Sequence, residues 1–313
     1  QRYRDLLRLG QYNNFRGDYA EAEKRYREAL ALQLQSLTAD SGGLAFALMH
    51  IGLETSNQGR FAEAETFFSK AEALLPFSLD PADEARLASY RAIHLANQGK
   101  AEAALAEARK ATDGRREIAR AYRPDILGAT PRGRGEGGAG GRPASPIILT
   151  GASSAAVGDM VQSRYIEAAM LARQGQTKEA EAALAEALLF FDADPKVPRR
   201  WLARIQLLQA EIAERAQDWP RAERLLRATI EEENALFGGS RAEGQAYLAL
   251  GRVLTASERP GEALAAYRAG LKILKDTGGN LAAGDLDPFF RLGLTAGERD
   301  GAARASLDDE MFE

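Results

Sequence analysis

The chain has 313 residues, 45% of them hydrophobic and 27% charged, a composition typical of a folded globular protein. Its net charge of -4 comes without a strongly basic block, so nucleic acid is not an expected partner. The absence of cysteine excludes disulfides, thiolate zinc sites and a cysteine nucleophile within these residues.

The sequence shows no signal peptide at Gln1 and no apolar run near the roughly 20 residues that cross a bilayer. We therefore expect no membrane span. The chain also lacks a starting methionine, which indicates a processed chain or a piece of a longer one. The compartment and the oligomeric state stay open at this stage.

Six copies of one spacing follow each other along the chain. The first copy has Gly10, Gly17, Tyr19, Ala22, Tyr26 and Ala29, and the second has Gly52, Gly59, Phe61, Ala64, Phe68 and Ala71. The third has Ala92, Gly99, Ala101, Ala104, Ala108 and Ala111, and the fourth has Ala168, Gly175, Thr177, Ala180, Leu184 and Ala187. The fifth has Ala210, Trp219, Ala222 and Leu226, and the sixth has Gly251, Pro260, Ala263, Tyr267 and Gly270. A spacing repeated in this way indicates an array of similar structural units.

These offsets resemble the tetratricopeptide repeat, whose unit is a pair of antiparallel helices. The resemblance implies an all-α fold, a right-handed superhelix (α-solenoid) of about six helix pairs with a C-terminal capping helix. The first residues of the six copies lie 40 to 42 positions apart, except for one gap of 76. The ordinary period is about 34 residues. We therefore expect long helices, as in the kinesin light-chain type, and one insertion after the third unit.

The residue classes in each copy predict specific roles. Gly10, Gly52 and Gly251 should lie where the two helices of a unit approach most closely, opposite the alanines of the second helix. The aromatic residues Tyr26, Phe68 and Tyr267 should fill the gap toward the next unit. Glycines at the end of the first helices should adopt the left-handed conformation that favours glycine; these are Gly17, Gly59, Gly99 and Gly175.

Two motifs in the insertion favour different functions. Gly135, Gly137 and Gly140 spell a dinucleotide-binding pattern, but it stands in Gly-, Pro- and Arg-rich sequence that is typical of a linker. The run Ile147–Leu149, followed by Thr150 to Ser154, resembles the first strand and turn of short-chain dehydrogenases. That family's Tyr-x-x-x-Lys motif is missing, so a helix cap and a short packed segment are the preferred interpretation. A nucleotide-dependent enzyme is kept as the third alternative, and no cofactor is predicted.

A protein or peptide ligand is the predicted partner, because first helices line the concave face of such arrays. The register places eight polar or aromatic residues on that face: Arg4, Asn14, Asn57, Asn97, Tyr165, Arg173, Arg204 and Arg252. Amides can hold an extended backbone, and arginines can hold carboxylates. An alternative for the asparagines is that they only end their helices. His50 and His94 are expected to be packed core residues.

The last residues carry a second resemblance. Asp287 and Pro288 predict a helix start that would cap the array. The segment Asp308–Glu313 resembles the one that joins repeats to the peptidase in bacterial CHAT-domain (caspase-like) proteins. The resemblance implies a bacterial, non-catalytic protein-interaction region that regulates a downstream peptidase or recruits its substrate. The alternative is a free-standing adaptor.

The predicted organisation has four segments. Units one to three occupy residues 1–122, the insertion 123–155, units four to six 156–276, and the cap and linker 277–313.

Overall fold

A computed structural model of the protein describes residues 2–36, 40–122 and 152–277. These ranges contain twelve α-helices and no strand. The helices are α1 Arg2–Arg16, α2 Tyr19–Gln35, α3 Ser41–Asn57, α4 Phe61–Leu74, α5 Asp83–Asn97, α6 Ala101–Tyr122, α7 Ala152–Arg173, α8 Thr177–Ala193, α9 Arg200–Arg215, α10 Trp219–Leu236, α11 Arg241–Ala256 and α12 Pro260–Asp276. A short 3-10 turn, Leu75–Phe77, follows α4.

The helices form six pairs, as predicted, and each helix packs mainly on the helices before and after it. The first helix of each unit is odd-numbered and the second is even-numbered. Helix α6 ends at Tyr122, and α7 starts at Ala152, inside the stretch expected to be a loop. The rest of the insertion and the predicted C-terminal cap lie outside the described residues.

Left-handed residues separate the two helices of each unit. Gly17, Gly59, Gly99 and Gly175 have φ between 75° and 88°, which confirms their predicted role at the end of the first helix. In units five and six the same conformation falls on Gln217 (φ 60°) and Glu258 (φ 58°). A side chain in this region is strained, so these two turns are built less favourably than the four glycine turns.

An aromatic ring lies over the glycine of its own unit, where the sequence predicted the alanines of the second helix. A Cβ on Gly10 would lie 2.7 Å from the Tyr26 ring, and one on Gly52 would lie 2.9 Å from the Phe68 ring. The far side of each ring then meets the following unit. The Tyr26 ring centroid lies 4.6 Å from that of His50. Only a glycine leaves room for a ring that is shared in this way between two units.

The superhelix turns far enough for the first unit to touch the last two. Phe15 on α1 packs edge-on against Trp201 on α9, with ring centroids 5.6 Å apart. Tyr12 meets Phe237, with centroids 5.8 Å apart. The Arg241 guanidinium lies over the Tyr19 ring at 5.6 Å. These long side chains close the array around its inner surface.

No helix in the described part of the chain is both long enough and apolar enough to cross a membrane.

Candidate ligand-binding cavity

The inner surface forms a partly open cavity of about 390 Å³. It lies between the first helices of units one to five, which contribute nearly all of its walls. Its polar and aromatic lining includes Asn14, Phe15, Tyr26, His50, Glu54, Asn57, Tyr90, Tyr165, Arg200, Trp201 and Arg204. This size falls within the roughly 300–1,000 Å³ that is usual for ligand sites.

A ladder of buried hydrogen bonds forms one side of the cavity. The Asn14 amide donates to both oxygens of Glu54, at 2.9 and 3.1 Å. Asn57 donates to Glu54 at 3.5 Å, and Asn97 donates to the Asn57 carbonyl oxygen at 3.2 Å. Asn97 also donates to the Ser56 hydroxyl at 3.1 Å. The ladder runs across α1, α3 and α5 and fixes the Glu54 carboxylate at the cavity wall.

His50 is held neutral in the wall beside this ladder. Its Nδ1 lies 3.0 Å from the Phe46 carbonyl oxygen, and its Nε2 lies 3.0 Å from the Tyr90 hydroxyl. Burial lowers the pKa of His50 to about 3, and it raises the pKa of Tyr90 to about 12. The pair is therefore an uncharged wall at neutral pH, in agreement with a packed histidine.

Two arginines form the opposite side of the cavity. The Arg200 guanidinium stacks on the Phe15 ring at 4.2 Å, and the Arg204 guanidinium lies 5.5 Å from the same ring. Burial lowers the pKa of Arg200, and the positive charge of Arg204 lowers it further. The cavity thus has a carboxylate on the α3 side, a basic pair on the α9 side and aromatic rings between them.

A second, more apolar cleft of about 660 Å³ adjoins the cavity. The two spaces share Phe46, Arg86 and Asp159 in their linings. Arg86 is ion-paired with Asp83, and more distantly with Asp80 at 3.4 Å. Four aspartates and one arginine line this cleft, so its lining is acidic, whereas Arg200 and Arg204 line only the inner cavity.

The structure brings together four of the eight residues that the sequence placed on the concave face. Asn14, Asn57, Tyr165 and Arg204 line the cavity. Asn97 is only 1% exposed and lies beneath Asn57, so it supports the wall without facing the cavity.

The other three predicted residues lie elsewhere. Arg4 is exposed near the start of α1. Arg252 binds both oxygens of Glu214, at 2.6 and 2.7 Å. Arg173 and Arg252 lie near the buried Glu211. Burial raises the pKa of Glu211 to about 8, and the positive charges of these arginines oppose that rise. Both arginines therefore belong to a polar cluster of units four to six.

Sequence reasoning missed Phe15, Arg200 and Trp201. The spacing of Arg200 and Arg204, one helical turn apart, indicated a shared face of α9. Nothing in the spacing indicated that this face would meet α1, four units earlier in the array. For the same reason Phe15 had no visible role.

Within the ranges that the structure describes, no group of three or more histidine, aspartate or glutamate side chains is arranged to hold a metal ion. The cavity instead offers hydrogen bonds, charge and aromatic surface to a ligand.

Residues 4–76 match the tetratricopeptide repeat family. The fold is a tetratricopeptide-type solenoid. A Rap protein in complex with competence and sporulation factor superimposes with a TM-score of 0.61 at 14% identity, covering 98% of this chain and 84% of that chain. The Rap conjugation gene regulator of the plasmid pLS20, in complex with the Phr* peptide, gives 0.57 at 13% identity, with 97% and 84% covered.

BtubC (BKLC) from P. vanneervenii gives a TM-score of 0.54 at 14% identity, covering 86% of this chain and 93% of that chain. At these identities the similarity concerns the tetratricopeptide-type fold alone. No curated protein matches the chain in sequence.

Proposed function

We propose that this tetratricopeptide-type solenoid is a non-catalytic scaffold that binds an extended peptide segment in its inner cavity. The observation that carries the proposal is the partly open inner cavity, which has a carboxylate and amides on one side and arginines and aromatic rings on the other. An extended peptide presents backbone donors and acceptors along its whole length, and a lining of amides and charges can satisfy them. Burial of apolar peptide side chains against the rings supplies the remaining affinity.

The similar structures support a peptide as the class of ligand. Two Rap proteins of this fold are complexes, one with competence and sporulation factor and the other with the Phr* peptide. Each of these ligands is bound by its own Rap protein and is not assigned to this chain. Their relevance here is that a solenoid of similar dimensions has room for a peptide ligand.

A pair of glycine substitutions tests the proposal. Gly158 lines the cavity, and a Cβ there would meet nothing within 4 Å, so Gly158→Phe should fill the cavity without disturbing the helices. Gly261, near the start of α12, is equally open but lies outside the cavity lining, which makes Gly261→Phe the matched control.

Peptides would be selected from a random library displayed on phage and measured by calorimetry against both variants. We expect the selected peptides to lose at least tenfold in affinity for Gly158→Phe and to bind Gly261→Phe as they bind the parent chain. Equal binding to all three proteins would place the ligand surface outside the cavity and refute the proposal.

The finer hypothesis is that the scaffold is the regulatory or substrate-recruiting region of a CHAT-type peptidase. It rests on the resemblance of Asp308–Glu313 to the joining segment of that family. Sequencing of the gene beyond Glu313 tests it. A following domain with the histidine and cysteine of a caspase-like peptidase would support it, and a stop codon or an unrelated domain would favour the free-standing adaptor.

A further inference from the structure

The geometry points to Arg200 as the centre of a carboxylate-binding subsite, which holds one acidic side chain of the peptide ligand. This inference rests on the proposed function and names the chemistry that the cavity would select. The peptide it predicts has a single acidic residue between apolar neighbours.

The charge of Arg200 lacks a counter-ion within the described part of the chain. Its Nε is buried and has no hydrogen-bond acceptor, its guanidinium stacks on Phe15, and its electrostatic neighbours are Arg204 and Tyr26. Two other arginines on first helices do have such a partner, since Arg252 is paired with Glu214 and Arg86 with Asp83. A guanidinium that is half-buried without a counter-ion costs stability, and a ligand carboxylate would remove that cost.

The stacking also orients the guanidinium. Phe15 covers one face of Arg200 at 4.2 Å, and the Phe15 ring is itself held edge-on by Trp201. With one face covered, the N–H groups in the plane remain to donate. Two of them can bind both oxygens of a carboxylate at once, which is the strong geometry for this pair.

The surrounding charges decide how many acidic groups the cavity accepts. Arg204 adds positive charge beside the same ring, although the attraction of Glu233 engages part of it. Elsewhere in the lining Glu54 and Asp159 contribute carboxylates that disfavour a second acidic group, Arg86 is already ion-paired with Asp83, and Lys196 adds one more positive charge. A peptide with one acidic residue therefore fits the cavity better than a polyacidic peptide does.

Intrinsic fluorescence can report the binding, because the chain has only two tryptophans and Trp201 lines the cavity. The Trp219→Phe background leaves Trp201 as the single reporter. The probes are blocked pentapeptides of leucine and alanine with glutamate, glutamine, phosphoserine or lysine at the centre. The variants are Arg200→Gln and Arg200→Lys. The matched control is Arg199→Gln, which removes the neighbouring arginine that is paired with Glu232 on the exposed surface.

We expect the glutamate peptide to bind at least tenfold more tightly than the glutamine peptide to the parent chain and to Arg199→Gln. This preference should disappear in Arg200→Gln and fall in part in Arg200→Lys, which keeps the charge without the planar fork. Far-UV circular dichroism establishes that each variant is folded. If Arg200→Gln does not fold, the comparison of Arg200→Lys with the parent chain decides the matter.

Four results would overturn the inference. Equal affinity for the glutamate and glutamine peptides would show that there is no carboxylate subsite. In that case, loss of binding in Gly158→Phe would still support the cavity as the peptide site. A glutamate preference that survives in Arg200→Gln would assign the subsite to another residue. A phosphoserine peptide that binds more than tenfold more tightly than the glutamate peptide would assign it to phosphate. If none of the four peptides binds, the inference also fails, and the phage-selected peptides then judge the proposed function separately.

Discussion

The shared aromatic ring makes Gly52→Ala a sensitive test of how the units pack. A Cβ at Gly52 would lie 2.9 Å from Cε1 of Phe68 and 3.0 Å from its Cδ1, closer than carbon atoms normally approach. The Phe68 ring is fully buried, and its centroid lies 5.3 Å from that of His94 in the next unit. Because the ring is confined on both sides, it cannot move away without displacing the following helix pair.

Two opposing terms set the size of the effect. Replacing a glycine inside a helix by alanine stabilises it by about 1 kcal/mol. Overpacking a well-filled core costs about 1–3 kcal/mol. Gly158, inside α7, has open space around it, so Gly158→Ala should show the first term alone. The free energies of unfolding of the two variants should therefore differ by about 1–3 kcal/mol, with Gly52→Ala the less stable.

Urea denaturation followed by circular dichroism at the helical band measures this difference through the midpoints of the two variants and the parent chain. We expect Gly158→Ala above the parent and Gly52→Ala at or below it. If Gly52→Ala gained as much stability as Gly158→Ala, the Phe68 ring would not be held against Gly52, and the packing described for this unit would be incorrect.

Three further predictions concern the ladder, the buried histidine and the turns. Asn97→Ala should lower the unfolding free energy by about 0.5–1.5 kcal/mol without changing peptide affinity, whereas Asn57→Ala should lower both the unfolding free energy and the affinity. Denaturation and calorimetry measure the two quantities. Weaker binding by Asn97→Ala at unchanged stability would contradict this prediction. His50 has a folded pKa of about 3 against an ordinary value of 6.5, so the unfolded chain binds the extra proton and stability should fall as the pH drops from 6.5 toward 3. His50→Gln should show a smaller loss over that range, and equal slopes in denaturation series would count against the neutral histidine. Gly59→Ala should lower the unfolding free energy by about 1 kcal/mol because φ is positive at residue 59. Gln217→Gly should raise the urea midpoint, because glycine relieves the backbone strain at the positive φ of residue 217. Changes of the opposite sign would refute the assignment of these turns.

The sequence alone determined the helix pairs and their turns. Within one unit every contact joins residues a fixed number of positions apart, so the spacing of Gly10, Gly17 and Tyr26 is enough to predict two helices and a left-handed turn. The glycine turns are confirmed, whereas the contact of each ring with the glycine of its own unit was not predicted. The predictions for residues 123–151 of the insertion and for Asp308–Glu313 concern residues that the structure does not describe.

Only the tertiary structure decided where the candidate site lies. The rotation between neighbouring units is small, but it accumulates along the array, and its sum brings Phe15 of the first unit to Trp201 and Arg200 of the fifth. No spacing within one repeat encodes that sum. The same accumulated rotation forms the cavity and places Arg200 on the Phe15 ring with no carboxylate paired to it in the described residues. The side-by-side packing of α3 and α5 buries Asn97 under Asn57.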